Sequence, residues 1–359
     1  MGIGMDSASL HAEKGGYTVV FASNEKGVLP LSLAVWSLLA RAKPSTKYDV
    51  RVLCDGISEE SQKRLIQVAT EVDSRHRVSV VNMEPILNSR IGKEFEFYLP
   101  RAAWARIFVP EIMPEVNRIL YVDIDVLFCD DCSELFSLDM QGAALGACYE
   151  NPSSEGSFFN EPFDIPQCYP GYFNSGVLLM DLSVFREDKL SERVMDIAAK
   201  YSDKLKAKDQ DALNAALYDK VFRLHPRWNW NDGNTRRFMR ANPCARMWRA
   251  FEPREVVEAS LYPGILHFIG PHKPWRYNHR IMRHLYEAAI KESGLPGFLP
   301  IPDWNFRTWL NRLLYAPMYA LTWRKIKKLA QRWGITKAPS AVTWGKASDL
   351  ADKGWPPSK

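Results

Sequence analysis

The sequence predicts an α/β protein built on a doubly wound, largely parallel sheet, and three observations carry that expectation. Short β-branched runs alternate with helix-length stretches over most of the chain. The segment Arg118-Ile-Leu-Tyr-Val-Asp-Ile-Asp-Val-Leu-Phe128 is the near-continuous apolar run of a central strand, interrupted by two carboxylates. The 359 residues, 46% hydrophobic and 25% charged, suffice for a sizeable core and exclude wholesale disorder, collagen-like repeats or a coiled coil.

Taken in order, Tyr17-Thr-Val-Val-Phe-Ala-Ser23 reads as a buried first strand. A helix from Leu29 to Arg41 follows and stops at Lys43-Pro44, because the residue before a proline is pushed out of the helical region. Tyr48-Asp-Val-Arg-Val-Leu53 is the second strand, closed by the turn signal Cys54-Asp-Gly56. Ser58 is placed to cap a helix to Val72, and Val78-Ser-Val-Val81 is the third strand. Ala102 to Ile112 reads as a helix stopped near Pro114, and the carboxylate-bearing strand comes next. Beyond it lie a small strand at Ala143–Cys148 and a Ser/Asn/Pro/Gly-rich loop from Asn151 to Gly171, long enough to suggest a lid or acceptor loop. Gly176-Val-Leu-Leu-Met180 is strand, Ser183–Tyr201 a single helix, and Asp209–Tyr218 another. No internal repeat is visible.

Charge is unevenly spread. The chain carries +5 overall, but from Ile301 to Lys359 there are 11 Lys/Arg against 3 Asp/Glu, so the first 300 residues are mildly acidic at −3. That distribution argues against nucleic acid on the main surface and points the tail towards anionic lipid. Six cysteines with a single C-x-x-C, Cys129 and Cys132, make neither a disulfide scaffold nor a four-thiolate zinc site, so reduced thiols are expected. Residues 1–16 lack an apolar leader core, and no apolar run reaches the roughly 18 residues of a spanning helix. A flexible N-terminus and a cytoplasmic protein are expected.

Asp123 and Asp125, two apart on the expected strand, would point to one face. Two adjacent carboxylates in apolar surroundings repel each other and lose hydration, and a hard divalent cation between them would relieve both costs. A solvated pair at a strand end is the plainer alternative. Asp-Ile-Asp-Val also fits the nucleophile motif of haloacid-dehalogenase-like phosphatases, but three strands precede it and the chain has no Gly-Asp dipeptide. His267, in the apolar run Ile265-Leu-His-Phe-Ile269, reads on its own more readily as a satisfied core histidine than as a ligand.

The carboxylate segment resembles the metal-binding strand of family 8 glycosyltransferases, the retaining group that includes lipopolysaccharide galactosyl- and glucosyltransferases and glycogenin. Four further segments are similar in order and spacing: Tyr98-Leu-Pro-Arg-Ala-Ala-Trp-Ala-Arg106, Tyr172-Phe-Asn-Ser-Gly-Val-Leu-Leu-Met-Asp181, Asp209-Gln-Asp-Ala-Leu-Asn214 and Leu266-His-Phe-Ile-Gly-Pro-His-Lys-Pro-Trp275. The resemblance covers roughly Tyr17 to Trp275. It implies a GT-A type, Rossmann-like mixed sheet with helices on both faces, occupying residues 17–290.

It also implies a site. Asp123, Asp125 and His267 would hold manganese or magnesium, and a UDP-hexose would be the donor. Ala22, Ser23 and Asn24 match the nucleotide-binding positions after the first strand, although the aromatic that usually packs on the base there is missing. Arg106, Ile124, Asn174, Ser175, Gly270 and Lys273 would line the donor site, with Lys273 on the diphosphate. Gln210, flanked by Asp209 and Asp211, would stand at the anomeric carbon. An amide is a poor nucleophile, so Gln210 would stabilise an oxocarbenium-like state through its carbonyl while a leaving phosphate oxygen takes the acceptor's proton. An acceptor in lipopolysaccharide or another cell-surface glycan is implied. A transferase-like interaction protein without turnover and a self-glycosylating protein are the rival readings.

Residues 291–359 form a basic, Trp-rich tail. Trp323, Ile326, Leu329, Ala330 and Trp333 fall at helical spacing, with Arg324, Lys325, Lys327, Lys328 and Arg332 on the other side. Such a helix either lies in a membrane interface, here the cytoplasmic face of the inner membrane, or packs on the body with a solvated basic face.

Overall fold

The computed structural model describes residues 16–91, 101–150, 163, 171–231, 251–270, 273–275, 282–295, 320–321 and 323–338. The strands are β1 (Tyr17–Asn24), β2 (Tyr48–Asp55), β3 (Arg77–Asn82), β4 (Arg118–Val122), β5 (Val126–Phe128), β6 (Leu145–Tyr149), β7 (Phe173–Asp181), β8 (Val221–Arg223), β9 (Trp230–Asn231) and β10 (Ile265–His267). Seven of them form one sheet in the order β3-β2-β1-β4-β7-β6-β8. A second sheet is ordered β5-β10-β9.

The first half behaves as the alternating pattern demands. β3, β2, β1 and β4 are parallel neighbours, with β1 in register against both β2 and β4. The strand order reverses at β1, and a crevice opens at the carboxyl ends of strands on either side of such a reversal. The second half is not parallel throughout: β7 runs antiparallel to both β4 and β6, making the sheet mixed. Eight of the nine β7 residues are buried, so both of its faces are covered and no alternation revealed its direction.

The helix Val28–Ala40 is buried almost all round. Its Ser37 hydroxyl accepts the Phe128 N–H at 3.0 Å, tying β5 to it. Ser58 caps the helix Glu59–Val72 by accepting the Ser61 N–H, as its position predicted. The single helix expected over Ser183–Tyr201 is two, Leu182–Glu187 and Leu190–Lys200. Lys189, in the left-handed region at φ 52°, makes the break without the glycine or proline that would have announced it.

The expectation that Arg118–Phe128 is one strand is corrected. The chain leaves the large sheet at Val122, bends through Asp123-Ile124-Asp125, and enters the second sheet at Val126. The two carboxylates are the reason, because a ladder buried on both faces has no room for an uncompensated pair. They therefore meet through a bend and not through the pleat of one strand.

Cys54, Cys129, Cys132 and Cys148 are free thiols, as expected, while Cys168 and Cys244 lie outside the described residues. Apart from Phe163 and Gly171, the loop expected over Asn151–Gly171 lies outside the described residues, as do residues 1–15. Residues 323–332 are helical. Ile326 is fully buried and Ala330 nearly so, and Trp323, Leu329 and Trp333 pack on the core. The Trp333 carbonyl accepts from Arg254 at 3.3 Å. Of the two alternatives for this segment, its apolar face is spent on the body, and Arg324, Lys325, Lys327, Lys328 and Arg332 face outward. Among the described residues no helix is long and apolar enough to cross a membrane.

Candidate active site

A cavity of about 660 Å³ opens at the carboxyl ends of β1 and β4. The bend after β4 delivers Asp123, Ile124 and Asp125 to it, and β10 delivers His267. One ligand atom from each of Asp123, Asp125 and His267 lies within 4.8 Å of the others. His267 is 3% exposed, and its Nε2 is 3.1 Å from Asp125 Oδ1. Two carboxylate oxygens and an imidazole nitrogen fit a divalent cation in number and in chemistry.

Close approach at this point depends on a residue to which the motifs assign no role. Gly176 of β7 lies against the cluster, and a Cβ there would meet His267 Cε1 at 2.2 Å and Asp123 Oδ2 at 2.9 Å. Its carbonyl accepts the Asp123 N–H at 2.8 Å, so the backbone that makes room for the imidazole also anchors the first carboxylate. The F-N-S-G-V string contained that signal, since a glycine inside a buried strand marks a close approach.

Two cations frame the carboxylates. Lys273 binds Asp125 Oδ2 and donates to the Phe268 carbonyl at 3.0 Å. Burial alone would raise the Asp125 carboxyl, but His267 and Lys273 beside it hold it well below the usual carboxylate range. Arg106 is 3% exposed and donates to Asp123 Oδ1 at 2.9 Å, to the Ser175 carbonyl at 2.5 Å and to the Ala103 carbonyl at 2.8 Å. Its guanidinium also lies over the Tyr121 ring, 4.5 Å from the centroid. The Asp209 carboxylate is 3.2 Å from Arg106 Nε, yet its Oδ2 has no hydrogen-bond partner. The two findings agree if Nε spends its proton on Ala103, which leaves attraction without a shared hydrogen. Burial pushes Asp209 up to about 6; Arg106 opposes the rise and Asp123 adds to it.

On the other wall Gln210 accepts the Ser175 N–H at 3.0 Å through Oε1 and donates through Nε2 to Tyr172 Oη at 2.8 Å. Tyr172 Oη donates in turn to Asp211 Oδ1 at 2.6 Å. Asp211 Oδ2 accepts the Ala207 N–H at 2.7 Å. Of the residues the sequence singled out, Ala22, Ser23, Asn24, Arg106, Asp123, Ile124, Asp125, Asn174, Ser175, Asp209, Gln210, His267, Gly270 and Lys273 all line the cavity. Asp211 is not in that lining: two positions along the helix Asp209–Leu217 turn it away from Asp209. A Cβ added at Gly270 would meet no protein atom within 4 Å, and its φ of 85° is the left-handed turn that glycine adopts freely. Glu150, Tyr121, Lys206, Lys208 and Trp275 also line the cavity and were not singled out for it. Tyr121 and Trp275 lie within the quoted motifs, whereas Glu150, Lys206 and Lys208 fall outside all five.

The family model described as Glycosyl transferase family 8 matches residues 18–279. The chain belongs to that family. General stress protein A of Bacillus subtilis is 29% identical over 247 residues, spanning 67% of this chain and 81% of that protein. The lipopolysaccharide 1,2-glucosyltransferase of Escherichia coli is 27% identical over 176 residues, and the match spans about half of each chain, 49% and 49%. Among solved structures, the galactosyltransferase LgtC with donor and acceptor sugar analogs matches with a TM-score of 0.63 at 24% identity, covering 78% of this chain and 98% of that one. The glycosyltransferase GlyE of Streptococcus pneumoniae matches at 0.57 and 21% identity, over 79% and 61%. These likenesses establish the GT-A fold that the motifs implied, with the mixed sheet described above.

Proposed function

We propose that this family 8 member is a metal-dependent, retaining hexosyltransferase that moves galactose or glucose from a UDP-sugar to a saccharide acceptor in lipopolysaccharide or another surface glycan. The observation that supports it most is the meeting of Asp123, Asp125 and His267, from two separate stretches of chain, in the cavity that also holds Gln210. Asp123, Asp125 and His267 would hold manganese or magnesium. When bound, the ion neutralises a diphosphate and makes it a competent leaving group.

The chain's own residues do the rest. Lys273, already at the cluster, turns from Asp125 to the incoming diphosphate. Ala22, Ser23, Asn24 and Ile124 hold the nucleoside end. Arg106 fixes Asp123 and draws Asp209 towards it, which sets Asp209 to accept from sugar hydroxyls. Gln210 is immobilised at both ends of its amide by Ser175 and Tyr172, so its carbonyl is pre-aimed at positive charge developing on the sugar. An amide in that position is no nucleophile, so the acceptor attacks on the face the phosphate leaves, and its proton passes to that phosphate. The reaction takes place in the cytoplasm, against a membrane met electrostatically by the outward basic face of the helix at 323–332.

Release of UDP from UDP-galactose and UDP-glucose, with chelator and with added manganese, tests this. Manganese-dependent release and retention of the anomeric configuration are expected. Turnover unaffected by chelator, or inversion at the anomeric carbon, would overturn the reading.

A further inference from the structure

His267 meets the cluster through one ring nitrogen, and its other nitrogen is held by a chain of amides that ends on the backbone. The Gly176 N–H, which can only donate, gives its hydrogen to Asn174 Oδ1 at 2.9 Å. That identifies the oxygen end of the Asn174 amide, and the nitrogen end accordingly donates to Glu150 Oε2 at 3.0 Å. The same Oδ1 accepts from Asn229 Nδ2 at 2.8 Å, so the Asn229 amide is oriented in turn. Its oxygen lies 2.8 Å from His267 Nδ1. An amide oxygen only accepts, so Nδ1 is the nitrogen that carries hydrogen. Asn174, Asn229 and His267 are all buried, and Asn229 stands behind the cavity lining to which the other two belong. With Nδ1 protonated, the neutral ring presents its lone pair at Nε2, facing Asp125 Oδ1. Between a lone pair and a carboxylate so placed a positive charge must lie, either a proton shared along that contact or a divalent cation in its place.

We propose that Asn229 is a positioning residue that holds His267 in the tautomer whose Nε2 is open to a divalent cation, with Asn174 and the Gly176 N–H setting Asn229. The inference rests on the metal reading given above. Without Asn229 the loaded state would contain a buried, unpaired Nδ1–H. Partner groups behind metal-bound histidines are worth about 10- to 100-fold in metal affinity.

Manganese titration by calorimetry of the wild type, Asn229→Asp and Asn229→Leu tests it. Aspartate keeps an acceptor towards Nδ1 but loses the donation to Asn174; leucine loses both. Both variants should melt lower than the wild type. The Leu variant should bind manganese about 10- to 100-fold more weakly, and the Asp variant should stay close to wild type or bind more tightly. Equal weakening in the two variants, or none in either, would refute the role. On the unaltered chain, histidine-labelled NMR with magnesium bound should show the His267 proton on Nδ1, and a proton on Nε2 would be equally fatal. If the wild type fails to bind manganese at all, the metal reading itself falls, and this inference falls with it.

Discussion

Gly176→Ala is the sharpest test of how the site is built. The added Cβ would sit 2.2 Å from His267 Cε1, about 1.2 Å short of the 3.4 Å at which ordinary contact begins. The backbone has little freedom to retreat, because the Gly176 carbonyl holds the Asp123 N–H and the neighbouring Val177 is in register with Val122. The Asn174 side chain also holds the Gly176 N–H. The imidazole must therefore swing away from Asp125, by an amount comparable to the misplacement of about 1 Å that costs on the order of 100-fold in rate. Overpacking a core adds about 1–3 kcal/mol of destabilisation. UDP release and manganese affinity should both fall by about 100-fold, while the melting temperature drops by a few degrees. A second variant isolates the cause. If alanine acts by displacing the ring, adding it to His267→Gly should cost little beyond what the histidine change costs alone. Wild-type manganese affinity in Gly176→Ala, or fully additive losses in the double variant, would refute the steric account.

Three further outcomes follow from the geometry. Arg106→Lys keeps one charge but cannot reach Asp123, Ser175 and Ala103 together, so urea denaturation should show a loss of about 3–5 kcal/mol, the range for breaking a buried ion pair. Asp209, raised to about 6, binds its proton more tightly folded than unfolded, so its contribution to stability is greatest below about 4 and declines as pH rises towards 6. Asp209→Asn should therefore gain stability relative to wild type as pH rises through that window. It should also lose the rise in UDP release across the same window, and a parallel pair of pH profiles would count against the assignment. Ile326→Ala, at a fully buried position, should destabilise the whole protein by about 2–5 kcal/mol and leave binding to anionic vesicles unchanged. The opposite pattern would mean that the face inserts into lipid.

Much of this protein could be read from its residues in order. The β-branched runs at Tyr17, Tyr48 and Val78, the proline stop after Arg41 and the Ser58 cap each report local backbone preference, and each is where the structure has it. Five short motifs named the family and most of the cavity lining, because chemistry restricts which residue types can serve there. Folding decided what local preference does not encode. The ligand cluster joins Asp125 to His267 across 142 positions, a distance that sheet order closes and no periodicity measures. The antiparallel course of β7, the bend that splits Arg118–Phe128, and the seating of the tail helix against the core all depend on which neighbour covers an apolar face. The same holds for Gly176 and Asn229: a glycine in a strand and an asparagine after a tryptophan are ordinary until the imidazole is packed against both.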